Sequence, residues 1–240
     1  MGRSRPPQPP RPQYRGCHRG AYQHCAGGSG GGGFAAPSFQ ALPTWAVACS
    51  SETCPMRIIA GAWRGRVLAA PAGATTRPTA DRVRQALFDM LMHAPWAGRE
   101  TLAQARVLDV FAGTGALGLE ALSRGVQNVI FFENDPLALT ALRANIAACG
   151  AGGRARIVAG DAVRPGAWPA ANPRNNLVFL DPPYGQGLVQ RALNILRAEG
   201  WLAPDALIVA ETSRLEPVVE SGILLASREH GAARINVWRE

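Results

Sequence analysis

Apolar runs alternate with helical patterns from residue 105 onward, and this alternation limits the possible folds more than any other feature. Strand-like runs occupy 105–112, 128–135, 155–162, 175–184 and 206–212, and helical patterns occupy 115–125, 136–149 and 187–200. The strands are almost continuously apolar, which is typical of a parallel sheet that helices cover on both faces. The sequence therefore predicts an α/β fold, closed by an antiparallel pair near 222–229 and 232–238.

The segment before this core predicts a hairpin and a helix. Two short apolar runs, 57–61 and 66–70, are joined by AWRG and predict a β-hairpin. In the following segment, TRPTADRVRQALFDMLM, apolar residues recur on one face at Val83, Leu87, Met90 and Leu91. This pattern predicts an amphipathic helix that packs against the sheet.

Residues 1–55 differ from the rest, because they are rich in glycine, proline and arginine and include GGSGGGG at 27–33. Such a composition predicts a disordered tail. Three interpretations remain open: a basic RNA-binding arm, an organelle transit peptide, or translated sequence upstream of the true start. We favour Met56 as the functional start, because it directly precedes the first strand-like pattern.

The charge of the chain indicates an anionic partner. The net charge is +8, and every basic residue other than histidine is arginine, whose planar fork suits phosphates and guanine edges. The five cysteines show no CxxC spacing, so neither a zinc site nor a disulfide framework is indicated. No apolar run is long enough to span a membrane, and we expect a cytoplasmic protein.

Acidic residues end three successive strands of the predicted sheet. Asp109 precedes a glycine turn that contains Gly113 and Gly115, Glu133 closes the second strand, and Asp161 follows the third. Ligands bind at the carboxyl ends of parallel strands. Glu133 could accept hydrogen bonds from ribose hydroxyls, and Asp161 could accept one from an adenine amine. The spacing GxGxxG at 113–118 is a weak match to a dinucleotide site.

The fourth strand ends in the tetrapeptide Asp181, Pro182, Pro183 and Tyr184. Each proline restricts the residue before it to extended geometry, so the Asp181 carboxylate and the Pro182 carbonyl can point the same way. Tyr184 can lie face-on to whatever these two acceptors hold. The set suits an aromatic ring with an exocyclic amine, although a proline turn beside a core tyrosine would explain PPY alone.

The motifs DVFAGTG, FFEND and DPPY, in this order, resemble those of Rossmann-like methyltransferases that use S-adenosylmethionine. DPPY resembles in particular the enzymes that methylate exocyclic amino nitrogens of bases. The segments MRIIAGAWRGR, TRPTADRVRQALFDML and LDVFAGTGALGLEALSRG resemble the bacterial 16S rRNA guanine-N2 methyltransferase family. The resemblance covers 56–240. It implies a class I fold with a seven-stranded, mostly parallel sheet, helices on both faces and an N-terminal β-hairpin extension.

The resemblance also implies the roles of individual residues. The cofactor-binding set, for S-adenosylmethionine, is Asp109, Phe111, Gly113, Gly115, Glu133, Asp161 and, in the front segment, Thr79. The catalytic set is Asp181, Pro182, Pro183 and Tyr184. The RNA-binding set is Arg57, Arg64, Arg66, Arg77, Arg82 and Arg84. The implied partner is 16S rRNA or the assembled small ribosomal subunit, and we expect a monomer without a metal ion.

Other functions remain open at this stage. A DNA adenine-N6 methyltransferase also uses DPPY, although 185 core residues leave little room for reading a DNA target. A catalytically inactive RNA-binding assembly factor would not need Asp109, Glu133 and DPPY together. An NAD-dependent oxidoreductase would use the GxGxxG spacing but has no role for DPPY.

Overall fold

The computed structural model describes residues 55–71 and 78–240, except residues 218 and 220 and the side chains of residues 78 and 79. The predicted tail, apart from its last residue, lies outside the described residues, and so does Arg77. The limits of the tail therefore stay a prediction.

Seven strands and five helices make up the described chain. The strands are β1 Arg106–Val110, β2 Asn128–Glu133, β3 Ala155–Ala159, β4 Asn175–Leu180, β5 Leu202–Ser213, β6 Ile223–His230 and β7 Ala233–Arg239. The helices are α1 Pro78–His93, α2 Arg99–Ala103, α3 Ala116–Ser123, α4 Pro136–Ala148 and α5 Leu188–Ala198. The sequence predicted all of these elements except the five-residue α2, which is too short to show a periodic pattern.

One sheet contains all seven strands in the order β3-β2-β1-β4-β5-β7-β6. Strands β1 to β5 pair in parallel, whereas β7 is antiparallel to both β5 and β6. The strand order reverses between β1 and β4, since the chain moves outward from β1 to β3 and then returns to the other side of β1. A crevice therefore opens at the carboxyl ends of β1 and β4.

Helices cover both faces of the sheet, as the sequence predicted. On one face, α1, α3 and α4 pack on Phe131, Phe179 and Val237, which belong to the larger buried cluster. On the other face, α5 packs on Val178 and Trp238 in a second buried cluster. Because helices bury both faces of the sheet, polar groups of the central strands reach solvent only at the strand ends. A ligand site is therefore expected at the strand ends. No helix among the described residues is long and apolar enough to cross a membrane.

The predicted N-terminal hairpin is present only as a short antiparallel contact. A single bridge pairs Arg57 with Val67, so the expected strands 57–61 and 66–70 do not form regular strands. The backbone N–H groups of Ile59 and Ala60 donate to the Glu120 carboxylate of α3, at 2.7 and 3.0 Å. Past Ile58 the backbone bonds to α3 and the ladder does not continue.

Helix α3 therefore anchors the front segment to the core. Glu120 is fully buried, and Arg124 Nε donates to its Oε1 at 2.7 Å, so the buried charge is paired. Ser123 Oγ accepts from Trp63 N at 2.9 Å and donates to the Ala60 carbonyl at 2.6 Å. Residues 59–63 of the front segment are thus bonded to α3 through both backbone and side-chain groups.

Gly61 is the position where this anchoring leaves no room for a side chain. Its φ is +84°, and a Cβ there would lie 1.9 Å from the Ser123 carbonyl oxygen. Gly65 has nearly the same φ, +83°, but a Cβ there would meet open space. A side chain at Gly65 would therefore cause backbone strain alone, whereas one at Gly61 would cause the same strain and a steric clash.

We expect Gly65→Ala to lower the free energy of unfolding by about 1 kcal/mol, the cost of a left-handed backbone for alanine. Gly61→Ala adds a clash with the Ser123 carbonyl and should cost about 1–3 kcal/mol more. Urea unfolding followed by circular dichroism measures both. Equal losses for the two variants would contradict the close approach of Gly61 to α3.

Candidate functional site

The three glycines that follow β1, two in the loop and one in α3, have different physical roles. Gly113 has φ +56°, and a Cβ there would meet no protein atom, so the loop is open on that side. A Cβ on Gly115, at φ +81°, would lie 2.4 Å from Leu142 Cδ1. A Cβ on Gly118 would lie 2.4 Å from the Phe131 ring. Gly113 thus leaves space for a ligand, whereas Gly115 permits close packing against Leu142 of α4 and Gly118 permits close packing of α3 on β2.

Asp109 lies beneath this loop inside β1 and is 1% exposed. Gly118 N donates to Asp109 Oδ2 at 2.9 Å, which ties α3 to the strand. Burial raises the pKa of Asp109 well above its ordinary value, the charges of Asp181 and Glu133 add to the rise, and the Gly118 bond opposes it. The predicted ligand-binding acid is therefore also a support for the loop.

Phe111 follows β1 with a left-handed backbone, at φ +64°. Such a conformation is strained for a bulky residue and persists only where the surroundings enforce it. The Ala112 N–H donates to the Phe132 carbonyl at 2.9 Å, which fixes the chain directly after Phe111. The predicted cofactor residue Phe111 is thus held at the opening of the crevice.

Glu133 closes β2 and binds the backbone on two sides. Its Oε2 accepts from Gly113 N at 2.6 Å, and its Oε1 accepts from Asn134 N and Asp135 N, both at 2.8 Å. Asp135 caps α4 by accepting from Ala138 N at 2.7 Å. These bonds fix the glycine loop relative to β2 and to the start of α4.

A first cavity of about 530 Å³ opens beside these groups. Its lining comes from the ends of β1, β2 and β4 and from the turn after β3: Phe111, Gly113, Phe132, Glu133, Asn134, Asp135, Gly160, Ala162, Asp181, Pro182, Pro183 and Tyr184. Asp161 is absent from this lining, and its Oδ1 accepts from Val163 N at 3.0 Å in its own turn. Gly115 is also absent from it. Their predicted contacts with a cofactor stay predictions.

A second cavity of about 650 Å³ adjoins the first. It lies between α1, the front segment and the ends of β4, β5 and β7, and its lining includes Met56, Arg84, Asp109, Glu211 and His230. Phe111, Gly113, Asp181 and Tyr184 line both cavities. Asp181 and Tyr184 of the predicted tetrapeptide therefore belong to a wall that the two cavities share, whereas Pro182 and Pro183 line only the first cavity.

The shared wall carries a perturbed acid. Partial desolvation in the cavity wall, and secondarily the charge of Glu211, raise the pKa of Asp181 to about 7. Asp181 stays open to solvent through the cavities, so the surrounding protein removes only part of its hydration. Among the described residues, none donates a hydrogen bond to its carboxylate. Asp181 therefore has free acceptor capacity that faces the space between the cavities.

Tyr184 is the aromatic member of the shared wall and is 45% exposed. Its hydroxyl donates to Glu211 Oε1 at 2.7 Å, which fixes the ring. Desolvation, that hydrogen bond and the charges of nearby acids raise the pKa of Tyr184, so the hydroxyl remains protonated.

Sequence reasoning missed Glu211, although the signal was available. Glu211 follows the apolar run of β5 as Asp109, Glu133 and Asp181 follow theirs. Applying the strand-end rule to the fifth parallel strand would have found it.

The structure separates the predicted RNA-binding arginines. Arg57, Arg64 and Arg82 are exposed and line one groove between the front segment and α1, which we call the arginine groove. Arg66 lies outside it and donates to the Ala148 carbonyl at the end of α4.

Arg84 requires a correction, because it is only 5% exposed. Its guanidinium donates to the Arg57 carbonyl at 2.6 Å and to Asp81 Oδ1 at 2.9 Å, and burial lowers its pKa. Arg84 therefore joins α1 to the front segment instead of contacting phosphate. The side chain of Thr79 and the whole of Arg77 lie outside the described residues, so their predicted roles stay predictions.

Comparisons with known proteins agree on one family. Residues 56–239 match a family described as conserved hypothetical protein 95. The ribosomal RNA small subunit methyltransferase D of Escherichia coli (strain K12) is 42% identical over 168 residues, which cover 70% of this chain and 77% of the relative. The protein of the same name in Haemophilus influenzae is 35% identical and covers 77% of this chain and 93% of the relative. The solved structure of yhhF from Escherichia coli superposes with a TM-score of 0.65 and 36% identity, covering 78% and 98% of the two chains.

The raised pKa of Asp181 predicts a pH-dependent cost to stability. The folded pKa, about 7, lies above the value of about 3.9 in an unfolded chain, so the folded state holds the proton more tightly between these values. Stability is therefore lost as the pH rises from 4 to above 7. Asp181→Asn should unfold at a higher temperature than the wild type at pH 8, and the difference should shrink towards pH 4.

Thermal unfolding at a series of pH values measures this difference. A variant that is less stable than the wild type at pH 8, or a difference that is the same at every pH, would contradict the electrostatic description of the shared wall.

Proposed function

The chain belongs to the family described as conserved hypothetical protein 95, together with the ribosomal RNA small subunit methyltransferases D, and on this premise we propose that it methylates the exocyclic N2 of a guanine in 16S rRNA. The fold is the Rossmann-like fold of class I methyltransferases, and S-adenosylmethionine is the cofactor. The protein acts as a monomer in the cytoplasm, on 16S rRNA or on the assembled small subunit.

The observation that carries this proposal is the wall shared by the two cavities. A methyl transfer needs two binding spaces that meet at the reacting atoms, because donor and acceptor must approach in line. Asp181 and Tyr184 line both spaces. The first cavity, between the ends of β1, β2 and β4, takes the cofactor, and the second takes the target base.

The residues of the first cavity fit S-adenosylmethionine. Gly113 leaves open space where a side chain would stand, so a ligand can approach the loop backbone. Glu133 presents a carboxylate to the same cavity, and carboxylates at the end of the second strand suit ribose hydroxyls. Phe111 lines this cavity as well. Asp109, which lies beneath the loop, and Asp161, in the turn after β3, belong to the proposed cofactor-binding set although neither lines the first cavity. When bound, the cofactor supplies an electrophilic methyl group on a sulfonium.

Asp181 and the Pro182 carbonyl hold the target amine. The lone pair of guanine N2 is delocalised into the ring and is a poor nucleophile. Hydrogen bonds from its two N–H groups to these acceptors draw the nitrogen towards tetrahedral geometry and aim the lone pair at the first cavity. With the cofactor bound, its methyl group would pass to N2 and S-adenosylhomocysteine would remain, while Asp181 or solvent would accept the amine proton. Positioning of this kind is worth about 7–11 kcal/mol.

Tyr184 compensates part of the cost of bringing the base into the second cavity. Taking a base out of its stack costs about a few kcal/mol. Stacking on an aromatic side chain returns about 1–3 kcal/mol. The bond from Tyr184 to Glu211 Oε1 holds the ring before the base arrives, so less entropy is lost on binding.

The arginine groove binds the rRNA backbone. Arg57, Arg64 and Arg82 surround one groove of about 560 Å³ on the front segment and α1, and these are the same elements that border the second cavity. Phosphates held in the groove would position the rRNA next to the base site. Asp81 and Asp89 also line the groove and partly neutralise its positive charge.

Asp181→Ala should lower kcat for methyl transfer at least about 100-fold, because the amine loses its acceptor and general base. Cofactor affinity should change by less than about threefold, because the first cavity keeps its other lining groups. Tritiated S-adenosylmethionine with small-subunit particles that lack the modification gives the rate, and calorimetry gives the affinity.

The matched control is Glu100→Ala, which removes an exposed acid of α2 outside both cavities and should retain the wild-type rate. Mass spectrometry of the labelled nucleoside identifies the product. N6-methyladenosine, or transfer to DNA instead of rRNA, would refute the proposed substrate, and wild-type turnover by Asp181→Ala would refute the proposed mechanism.

The triple alanine variant of Arg57, Arg64 and Arg82 should bind rRNA more weakly than the wild type. Its plot of log binding constant against log salt concentration should be less steep by about 2–3, since each phosphate contact contributes roughly 0.7–0.9 to the slope. Filter binding between low and moderate salt measures the slope. Arg66→Ala, an exposed arginine outside the groove, is the control. A larger effect of Arg66→Ala than of the triple variant would contradict the assignment of the groove.

A further inference from the structure

Glu211 lies beside Asp181 at the edge of the sheet. Leu180 of β4 is in register with Ala210 of β5, so the next residue of each chain segment is Asp181 and Glu211. Neighbouring strands are about 4.8 Å apart, and side chains at matched positions point to the same face. Both carboxylates therefore reach the second cavity, which both residues line.

The Glu211 carboxylate is oriented by a hydrogen bond but can accept further ones. Within the part of the chain that the structure describes, its one hydrogen bond comes from the Tyr184 hydroxyl to Oε1, at 2.7 Å. Oε2 keeps its acceptor capacity. Arg84 and His230 also line the second cavity, but neither forms an ion pair with Glu211 among the described residues, and Arg84 is bonded to Asp81 and the Arg57 carbonyl.

Two adjacent carboxylates require two adjacent donors from the base between them. An unpaired carboxylate in a partly desolvated cavity is costly unless the ligand supplies a donor. Guanine presents an N1–H directly beside its N2 amine. Adenine and cytosine present their amines beside a ring nitrogen that bears a lone pair, which a carboxylate repels. The charge pattern of the second cavity therefore matches the Watson–Crick edge of guanine.

We infer that Glu211 accepts a hydrogen bond from N1–H of the target guanine while Asp181 and the Pro182 carbonyl hold N2, so that Glu211 selects guanine over other amine-bearing bases. This inference rests on the proposed function and identifies the residue that makes the site specific for guanine. Tyr184 orients Glu211 through its hydroxyl and stacks on the base with its ring.

The probe is 2-aminopurine, which keeps the N2 amine of guanine but has a lone pair at N1. It is installed by ligation at the nucleotide that the wild-type protein methylates, in rRNA reconstituted into small-subunit particles. The measured quantity is the ratio of kcat/KM for guanine particles to kcat/KM for 2-aminopurine particles. The wild type should prefer guanine about 100-fold or more, since a site built to accept a hydrogen bond rejects an analogue without the donor.

Glu211→Gln should lower this ratio at least about tenfold, because an amide can accept from guanine N1–H or donate to the 2-aminopurine lone pair. Glu211→Ala removes both the acceptor for guanine N1–H and the repulsion of the 2-aminopurine lone pair, so it should also lower the ratio. It is the variant to use if Glu211→Gln fails to fold. Calorimetry with S-adenosylmethionine confirms that the variant used has an intact first cavity.

Glu100→Ala is the matched control, since it removes an exposed acid outside both cavities. Its ratio should equal that of the wild type. A ratio that is unchanged in the Glu211 variants, or lowered as much in Glu100→Ala as in Glu211→Gln, overturns the inference. A wild type that leaves guanine particles unmethylated overturns the proposed function instead.

Discussion

The parallel pairing of β1 with β2 on one side and β4 on the other is the constraint on which the site depends. It brings the carboxyl ends of three strands to one edge of the sheet, and the reversal of strand order between β1 and β4 leaves a crevice there. Asp109, Glu133 and Asp181 reach this edge because each is placed at the end of its strand. The helices seal both faces of the sheet, so the edge is where the central strands can meet a ligand.

Several carboxylates lie at one edge of the sheet and repel one another. The protein gives them different numbers of hydrogen bonds. Asp109 is bonded to Gly118 N, and Glu133 is bonded to three backbone N–H groups. These two acids shape the glycine loop. Asp181 receives no hydrogen bond among the described residues, and Glu211 receives one, from Tyr184. Asp109 and Glu133 are thus bonded to the scaffold, whereas Asp181 and Glu211 keep most of their acceptor capacity for a ligand, at some cost in stability.

Much of this arrangement could be predicted from local sequence patterns. Continuous apolar strands predicted the parallel sheet, and the acids after β1, β2 and β4 predicted the edge where the cavities open. The hairpin was predicted longer than it is, because hydrophobicity does not reveal that Glu120 takes the N–H groups of Ile59 and Ala60. The arginines show the same limit, since the sequence shows their charge but not that Arg84 is buried against Asp81.

The central claim is that the two cavities have separate occupants that meet at Asp181 and Tyr184. A crystal structure with S-adenosylhomocysteine, the demethylated product of the cofactor, tests it most directly. We expect the ribose near Glu133, the adenine between the ends of β2 and β3 near Gly160 and Ala162, and the sulfur directed at Asp181, with the second cavity free for the base. Adenosine bound in the second cavity, between α1 and Glu211, would contradict it.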